Sequence, residues 1–326
     1  MADKTVSFLG LTLPSPVVVS SSSLTNSING VRKAADAGAG AVVLKSLFEE
    51  QIEHDVEGAG QGYDYSVHPD AEVYVRQMGK HLGPEKYLDL IAEAKKEAAI
   101  PIIASVNCVS TKWWGNYATQ LAEAGADAIE LNIAIMPRER DEAIDIEDRY
   151  VKIVDKIRRQ VDVPLAVKIG PYFTSLPNLA EDLRKAGASA LVLFNRFYQL
   201  DIDIDEMKLV PGYQFSTSAE IYTPLRWISI LSGAVGCDLV ASTGVHTGAD
   251  VIKQLLAGAK TVQVCSALYK NGYEVVAQMN SELDAWMERH GFNSIEEFRG
   301  KLSQSTSSMP ESYERFQYIK ALTGLS

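Results

Sequence analysis

The chain has 326 residues, 46% hydrophobic and 22% charged, with a formal net charge of −11. That length supports a large buried core, and the acidic balance argues against a nucleic-acid or anionic-membrane surface. Cys108, Cys237 and Cys265 have no metal or disulfide spacing, which reads as a reducing cytoplasm; MADKTVSFLG lacks a signal core, and no apolar run is long enough to span a bilayer.

Residues 5–13 (TVSFLGLTL) alternate around Gly10 and predict a short hairpin. The buried strand Pro16–Ser20 runs into Ser20-Ser21-Ser22-Ser23, and a helix over Asn26–Gly38 follows. Ala41–Leu47 is a second strand, and Glu49–Gly83 reads as irregular. A helix opening with Pro84 runs to Ala98, then come strand three (Pro101–Asn107), a helix over Trp113–Ala124 and strand four (Ala128–Ala134). The charged loop Pro137–Ile146 leads to the helix Glu147–Val161, strand five (Pro164–Gly170), the helix Leu176–Ala186 and strand six (Ala190–Arg196). Phe197–Phe215 reads as an excursion over the mouth of the fold, and Ala219–Val235 as helical despite Pro224. Strand seven (Asp238–Ala241), a helix opening at Thr247–Asp250 and strand eight (Thr261–Ala267) follow. The helix Gly272–His290 and a helical tail, Ser294–Ser326, complete the chain.

The joins repeat. DAGAGAVVLKS, EAGADAIELN, KAGASALVLFN and LAGAKTVQVCS each place a Gly where a left-handed residue ends a helix before a buried strand. Eight such units predict an α/β fold, a single (β/α)8 TIM barrel over residues 1–326 with an N-terminal β-hairpin and a C-terminal helical tail. An open doubly wound sheet fits less well, because the repeats do not divide into two halves.

In a barrel the carboxyl ends of the strands face the active site. Here they carry Ser20, Ser21, Ser22, Lys45, Ser46, Ser105, Asn107, Glu130, Asn132, Lys168, Asn195, Thr243, Gly244, Cys265 and Ser266. A lone Lys there is an ordinary strand-end cation, but Lys45 and Lys168 both follow apolar runs in one barrel. Asn107, Asn132 and Asn195 suit a planar heteroaromatic ligand better than turns alone. Glu130 reads as an interior residue paired to a neighbouring Lys. The small residues after strands seven and eight suit backbone N–H groups approaching a phosphate, although Gly after a strand is also a plain turn. His246 reads as a loop residue near phosphate or solvent.

VSFLGLTLPSPVVVSS, VVLKS, SVNCVSTKWWGNYATQLAEAGADAIELN, LAVKIGP, the FN of LVLFN and TGVHTGADVIKQLLAGAKTVQVCSAL together resemble the dihydroorotate dehydrogenases, FMN-dependent barrels, over nearly the whole chain. They are also similar to the FMN domain of dihydropyrimidine dehydrogenase. The resemblance implies FMN as cofactor. Ser20, Ser21 and Ser22 would lie under the flavin, with Ser46 among its contacts. Lys45 would stand beside flavin and substrate, and Asn107 and Asn132 would face the flavin or the bound ring. Lys168 would reach the N1–C2 carbonyl region and stabilise negative charge on the reduced ring. Asn195 would bind substrate, and Thr243-Gly244 and Cys265-Ser266 would hold the phosphate. It further implies oxidation of dihydroorotate in pyrimidine biosynthesis, catalysis through Lys45 and Asn132, a pyrimidine-like ring substrate and a homodimer. Three scattered cysteines cannot ligate an iron–sulfur cluster and no quinone-type membrane helix is read, so a soluble electron acceptor is expected, with no nucleic acid, membrane or metal partner.

Three departures concern the substrate half. The family's proton acceptor follows the Asn of ELN by three residues, and this chain has Ile135 there, an alkyl group that accepts no proton. The loop after strand two, Tyr65–Glu72, does not match the family's substrate loop. Arg196 follows Asn195 where the family has a small hydroxyl residue. Thr243 and Cys265 also replace glycines expected at the phosphate. The alternatives are an FMN-binding member inactive on dihydroorotate or acting on another ring, and a barrel lyase using Lys168 as a Schiff base. Cys108, Ser110, His68 and Tyr65 are candidates for a substitute base.

Overall fold

Short β-branched runs between amphipathic helices close, in the computed structural model, into a ring of parallel strands. The structure describes residues 2–52, 83–110, 114–136, 141–196, 199–212 and 214–324.

A hairpin of β1 (Val6–Phe8) and β2 (Leu11–Leu13) turns through Leu9 and Gly10, both at positive φ. The barrel staves are β3 (Val17–Val19), β4 (Ala41–Val43) with β5 (Leu47–Phe48), β6 (Ile102–Cys108), β7 (Ala128–Ile133), β8 (Leu165–Ile169), β9 (Ala190–Leu193), β12 (Asp238–Ser242) and β13 (Thr261–Val264). Their order is β4-β3-β13-β12-β9-β8-β7-β6, and the pairing of β4 with β6 closes the ring. The (β/α)8 barrel is therefore present, with its N-terminal hairpin. Outside lie α1 (Ile28–Asp36), α2 (Pro84–Glu97), α3 (Trp114–Glu123), α4 (Ala143–Arg158), α5 (Leu176–Lys185), α6 (Tyr222–Leu231), α7 (Gly248–Ala257), the short α8 (Ser266–Asn271) and α9 (Glu274–His290), followed by α10 (Tyr313–Thr323) in the tail. Gly38, Gly125, Gly187 and Gly258, the repeated helix-ending glycines, all have φ between +83° and +118°.

The boundaries depart from the prediction in five places. Stave two breaks at Leu44–Ser46, because the Lys45 amide donates to Thr25 O at 3.3 Å and the Ser46 amide to Ser21 Oγ at 2.8 Å, outside the ladder. The helix after strand four begins at Ala143 inside the predicted charged loop. The Phe197–Phe215 excursion carries an antiparallel ribbon, β10 (Gln199–Asp203) and β11 (Lys208–Gly212). The Ala219–Val235 helix splits into a 3₁₀ turn, Ser218–Ile221, and α6, with Pro224 in the first turn where its missing N–H is harmless. Strand eight stops at Val264, so that Cys265 caps α8. Most of Glu49–Gly83, including Tyr65 and His68, lies outside the described residues, as does Trp113.

Candidate active site

The carboxyl ends of the staves surround a cavity of about 240 Å³. Of the predicted residues, Ser20, Ser21, Lys168, Asn195, Thr243, Gly244, Cys265 and Ser266 line it. Ser22, Lys45, Ser46, Asn107 and Asn132 are not among the lining residues, although several are bonded to them.

At the deep end Lys168, buried on β8, donates to Gln263 Oε1 at 2.9 Å and to Ser20 Oγ at 3.2 Å. Glu130 Oε1 stands 3.6 Å from Lys168 Nζ, and Glu130 Oε2 accepts from Gln263 Nε2. The predicted pairing of Glu130 with a Lys is therefore present. Glu130 Oε1 has no hydrogen bond among the described residues and depends on that cation. A buried ion pair holds only when its remaining sites are satisfied, and Gln263 satisfies one on each partner. Gln263 was not anticipated from the sequence. Its signal is one amide in the otherwise buried, mostly apolar strand TVQV.

Beside this cluster the Ser21 hydroxyl lies 3.0 Å from that of Ser46, which lies 2.7 Å from that of Ser105. Ser22 caps the 3₁₀ turn at Ser23–Thr25, and its nearby side chain works against the burial that raises the Cys265 thiol. Lys45 is half-buried at the break in stave two. Asn195 Nδ2 donates to Asn132 Oδ1 at 2.9 Å across stave five, and Asn132 is in register with Asn107 and Lys168.

The far end is built from main chain. Thr243 and Gly244 have φ of +83° and +79°. A Cβ on Gly244 would stand 2.2 Å from the Ile221 amide nitrogen, so no other residue fits. Thr243 holds a left-handed conformation that a β-branched residue avoids, and its hydroxyl donates to Phe194 O at 3.2 Å. Cys265, at φ −139°, needs no such strain. Burial pushes its thiol above the ordinary value, against the opposing effect of Lys168. The first turn of α7 is already capped. Asp250 Oδ2 accepts from the His246 and Thr247 amides at 3.1 Å each, and Glu282 Oε2 from the Gly248 amide at 2.7 Å. The main chain that lines this end of the cavity is therefore the Thr243–Val245 turn and the Cys265–Ser266 bend.

The excursion is pinned over this end. Arg196, which lines the cavity, donates from Nε to Glu220 Oε2 at 2.9 Å and also to Gln214 O. Burial raises the Glu220 carboxyl, but Arg196 and the Thr217 amide outweigh it and hold the group below its ordinary value. The Ser216 amide donates to Ser266 Oγ at 3.0 Å, Lys270 Nζ donates to Ser216 O at 2.7 Å, and Ser216 Oγ lies 3.1 Å from His246 Nε2. His246 thus stands behind this end of the cavity, with Ser216 between. Ser216 and Gln199, which line the cavity, are further residues not singled out in the sequence.

Ile135 is 2% exposed, belongs to the hydrophobic core, and donates its amide to Tyr150 OH at 3.1 Å. Ser110 is tied by its amide and hydroxyl to Glu49. Among the described residues no group of three His, Cys, Asp or Glu could hold a metal ion, and no helix is long and apolar enough to cross a membrane.

Residues 4–287 match the family model described as dihydroorotate dehydrogenase. Similar proteins include the dihydroorotate dehydrogenase B (NAD(+)) catalytic subunit of Thermoplasma volcanium, 27% identical over 308 residues covering 92% of this chain and 98% of that protein. The protein of the same name from Methanosarcina acetivorans is 27% identical over 300 residues, 89% of this chain and 93% of its own length. The NAD-dependent dihydropyrimidine dehydrogenase subunit PreA of Escherichia coli (strain K12) is 25% identical over 320 residues, 91% of this chain and 76% of its own.

Proposed function

Because the chain belongs to the dihydroorotate dehydrogenase family, we propose that it is a cytoplasmic FMN-dependent oxidoreductase acting on a pyrimidine-like ring and passing electrons to a soluble acceptor. The observation that carries this reading is the two-ended cavity, with a buried ammonium at Lys168 and a left-handed main-chain turn at Thr243-Gly244. The residues fit the cofactor. The phosphate end needs N–H donors unobstructed by side chains, and the turn at Gly244 leaves no room for one on its packed side. The ring end needs a fixed cation, and Lys168 is held by Ser20, Gln263 and Glu130.

FMN, when bound, supplies two-electron acceptance. Lys168 holds positive charge where negative charge accumulates, in a site too buried for water to screen it. The linked amides of Asn195 and Asn132 orient a planar ring through donors and acceptors. Lys45 stands at the open break of stave two as a second cation toward substrate. The names of the relatives include both dihydroorotate and dihydropyrimidine, which supports a pyrimidine-like ring as the substrate class.

A narrower second reading rests on Ile135. The position of the family's proton acceptor is an alkyl group packed in the core, and loss of a positioned base lowers rate by about 10²–10⁴-fold. On this reading the chain binds FMN but does not turn over dihydroorotate. Absorption spectra of the purified protein separate the cases. Protein that stays colourless with added FMN overturns both readings. Prompt anaerobic bleaching by dihydroorotate overturns the second, and its absence supports it.

A further inference from the structure

Breaking a ring C–H bond needs a group that takes the proton, and the alkyl side chain of Ile135 takes none. Among the hydroxyls near the cavity, Ser20 is engaged with Lys168, Ser21, Ser46 and Ser105 with one another, and Ser110 with Glu49. The end of stave five carries a group that nothing above uses, the phenol of Tyr172.

Lys168 and Gly170 stand two residues apart at the end of β8, so they face the same side of the stave, the side on which Lys168 lines the cavity. Gly170 is buried and is not among the left-handed glycines. Its missing side chain has another cause. A Cβ there would run into the Tyr172 ring and stand 2.7 Å from the hydroxyl oxygen. The chain turns back after Pro171, and the phenol lies over the end of the stave that Lys168 occupies.

The same phenol neighbours the elements that hold residue 135. Tyr150, fully buried on α4, accepts from the Ile135 amide at 3.1 Å. Burial pushes the Tyr150 phenol above its ordinary value, and Tyr172 beside it adds to that. The Phe173 ring packs against both, 5.2 Å from the Tyr150 ring and 5.3 Å from that of Tyr172. Tyr150 is sealed in the core, whereas Tyr172 is 41% exposed and can exchange a proton with water.

Resting on the flavin reading above, we propose that Tyr172 is the catalytic residue that exchanges a proton with the pyrimidine-like ring, in place of the side chain missing at Ile135. A phenol both donates and accepts. In oxidation one ring C–H bond breaks and its proton forms an O–H bond on the ionised phenol. The electron pair left behind becomes the ring C=C bond as hydride leaves the neighbouring carbon for the flavin. In reduction the neutral phenol returns the proton to carbon as hydride arrives beside it. Water restores the phenol between turnovers.

The test uses FMN-loaded full-length protein and Tyr172→Phe, which keeps the ring over Gly170 and removes only the hydroxyl. Anaerobic flavin bleaching is followed with dihydroorotate and with dihydrouracil. The expected result is bleaching of wild type by at least one of them, slower by about 10²–10⁴-fold in the variant, with melting point and FMN affinity unchanged. Fluorotyrosine labelling adds a readout apart from turnover. The fluorine NMR resonance that Tyr172→Phe removes should shift when orotate or uracil is added. A variant that bleaches as fast as wild type, a wild type that bleaches with neither donor, or a Tyr172 resonance that ignores both rings would overturn the proposal. Protein that takes up no FMN defeats the flavin reading itself, whereas a fast Tyr172→Phe variant leaves that reading standing and removes only the tyrosine.

Discussion

Lys168 donates a 2.9 Å hydrogen bond to Gln263 Oε1, and the opposite end of that amide donates to Glu130. The amide joins a buried cation to a buried anion in one orientation only, oxygen toward Lys168 and nitrogen toward Glu130. It adds a second link to an ion pair whose direct approach is 3.6 Å.

That arrangement makes Lys168→Met costly. It leaves Glu130 buried with no cation, and breaking such a pair from one side costs about 3–5 kcal/mol. Lys168→Met with Glu130→Gln removes both charges and should be more stable than Lys168→Met alone. Urea unfolding of the single and double variants measures this. Equal stabilities would mean that Lys168 and Glu130 are not energetically coupled.

Thr243 and Gly244 share a turn but should respond oppositely. Thr243→Gly relieves roughly 1–2 kcal/mol of left-handed strain, offset by the entropy of a new Gly, about 0.5–1 kcal/mol, and by the lost hydroxyl bond. Its net change should stay within about 1 kcal/mol. Gly244→Ala adds left-handed strain and a 2.2 Å clash with backbone, for a loss of more than about 2 kcal/mol, and it should abolish FMN uptake. Thermal melts and flavin titration check both. A Gly244→Ala variant that melts and binds like wild type would contradict this account of the turn.

The barrel and half of the site were legible because their signals are local. Each stave is a short apolar run after a helix-ending Gly, and each strand-end polar residue stands out against that run. The ribbon was missed although Leu200, Ile202 and Ile204 alternate with aspartates, because a strand that buries neither face lacks the apolar run that marked the staves. Gln263 was missed because a lone amide in a strand reveals no partner, and Glu130 and Lys168 are 133 and 95 residues away. The break at Lys45 depends on hydrogen bonds to Thr25 and Ser21, which only the closed ring brings near.

Protonation of His246 should weaken the pinned excursion. Burial lowers the imidazole below its ordinary value and Lys270 adds to that, while Asp250, Ser216 and Glu220 oppose it. The fold therefore favours neutral His246, and the unfolded chain takes up the proton first. Stability from this group is complete above the ordinary histidine range and is lost as pH falls through it and then through the folded value. His246→Gln removes the titration and can still bond Ser216. Melting points across that range should fall more steeply for wild type than for the variant below neutrality, with parallel curves above it. Parallel curves throughout would exclude His246 as the cause.

Ile135 gives the sharpest divergence between family resemblance and structure. The resemblance implies that Ile135→Ser or Ile135→Cys restores the family's base. The structure places the side chain in the core, with its amide bonded to Tyr150. A hydroxyl there is buried in the core rather than among the residues that line the cavity, and losing the alkyl group costs roughly 2–5 kcal/mol by the usual large-to-small scale. Ile135→Ser should therefore melt well below wild type and gain less than about tenfold in dihydroorotate oxidation, against the 10²–10⁴ that a positioned base provides. Ile135→Val should keep the wild-type spectrum and most of the stability, separating core damage from chemistry. Anaerobic flavin bleaching measured beside urea unfolding gives both quantities. A gain of about a hundredfold or more in Ile135→Ser would place residue 135 at the substrate and restore the reading from resemblance.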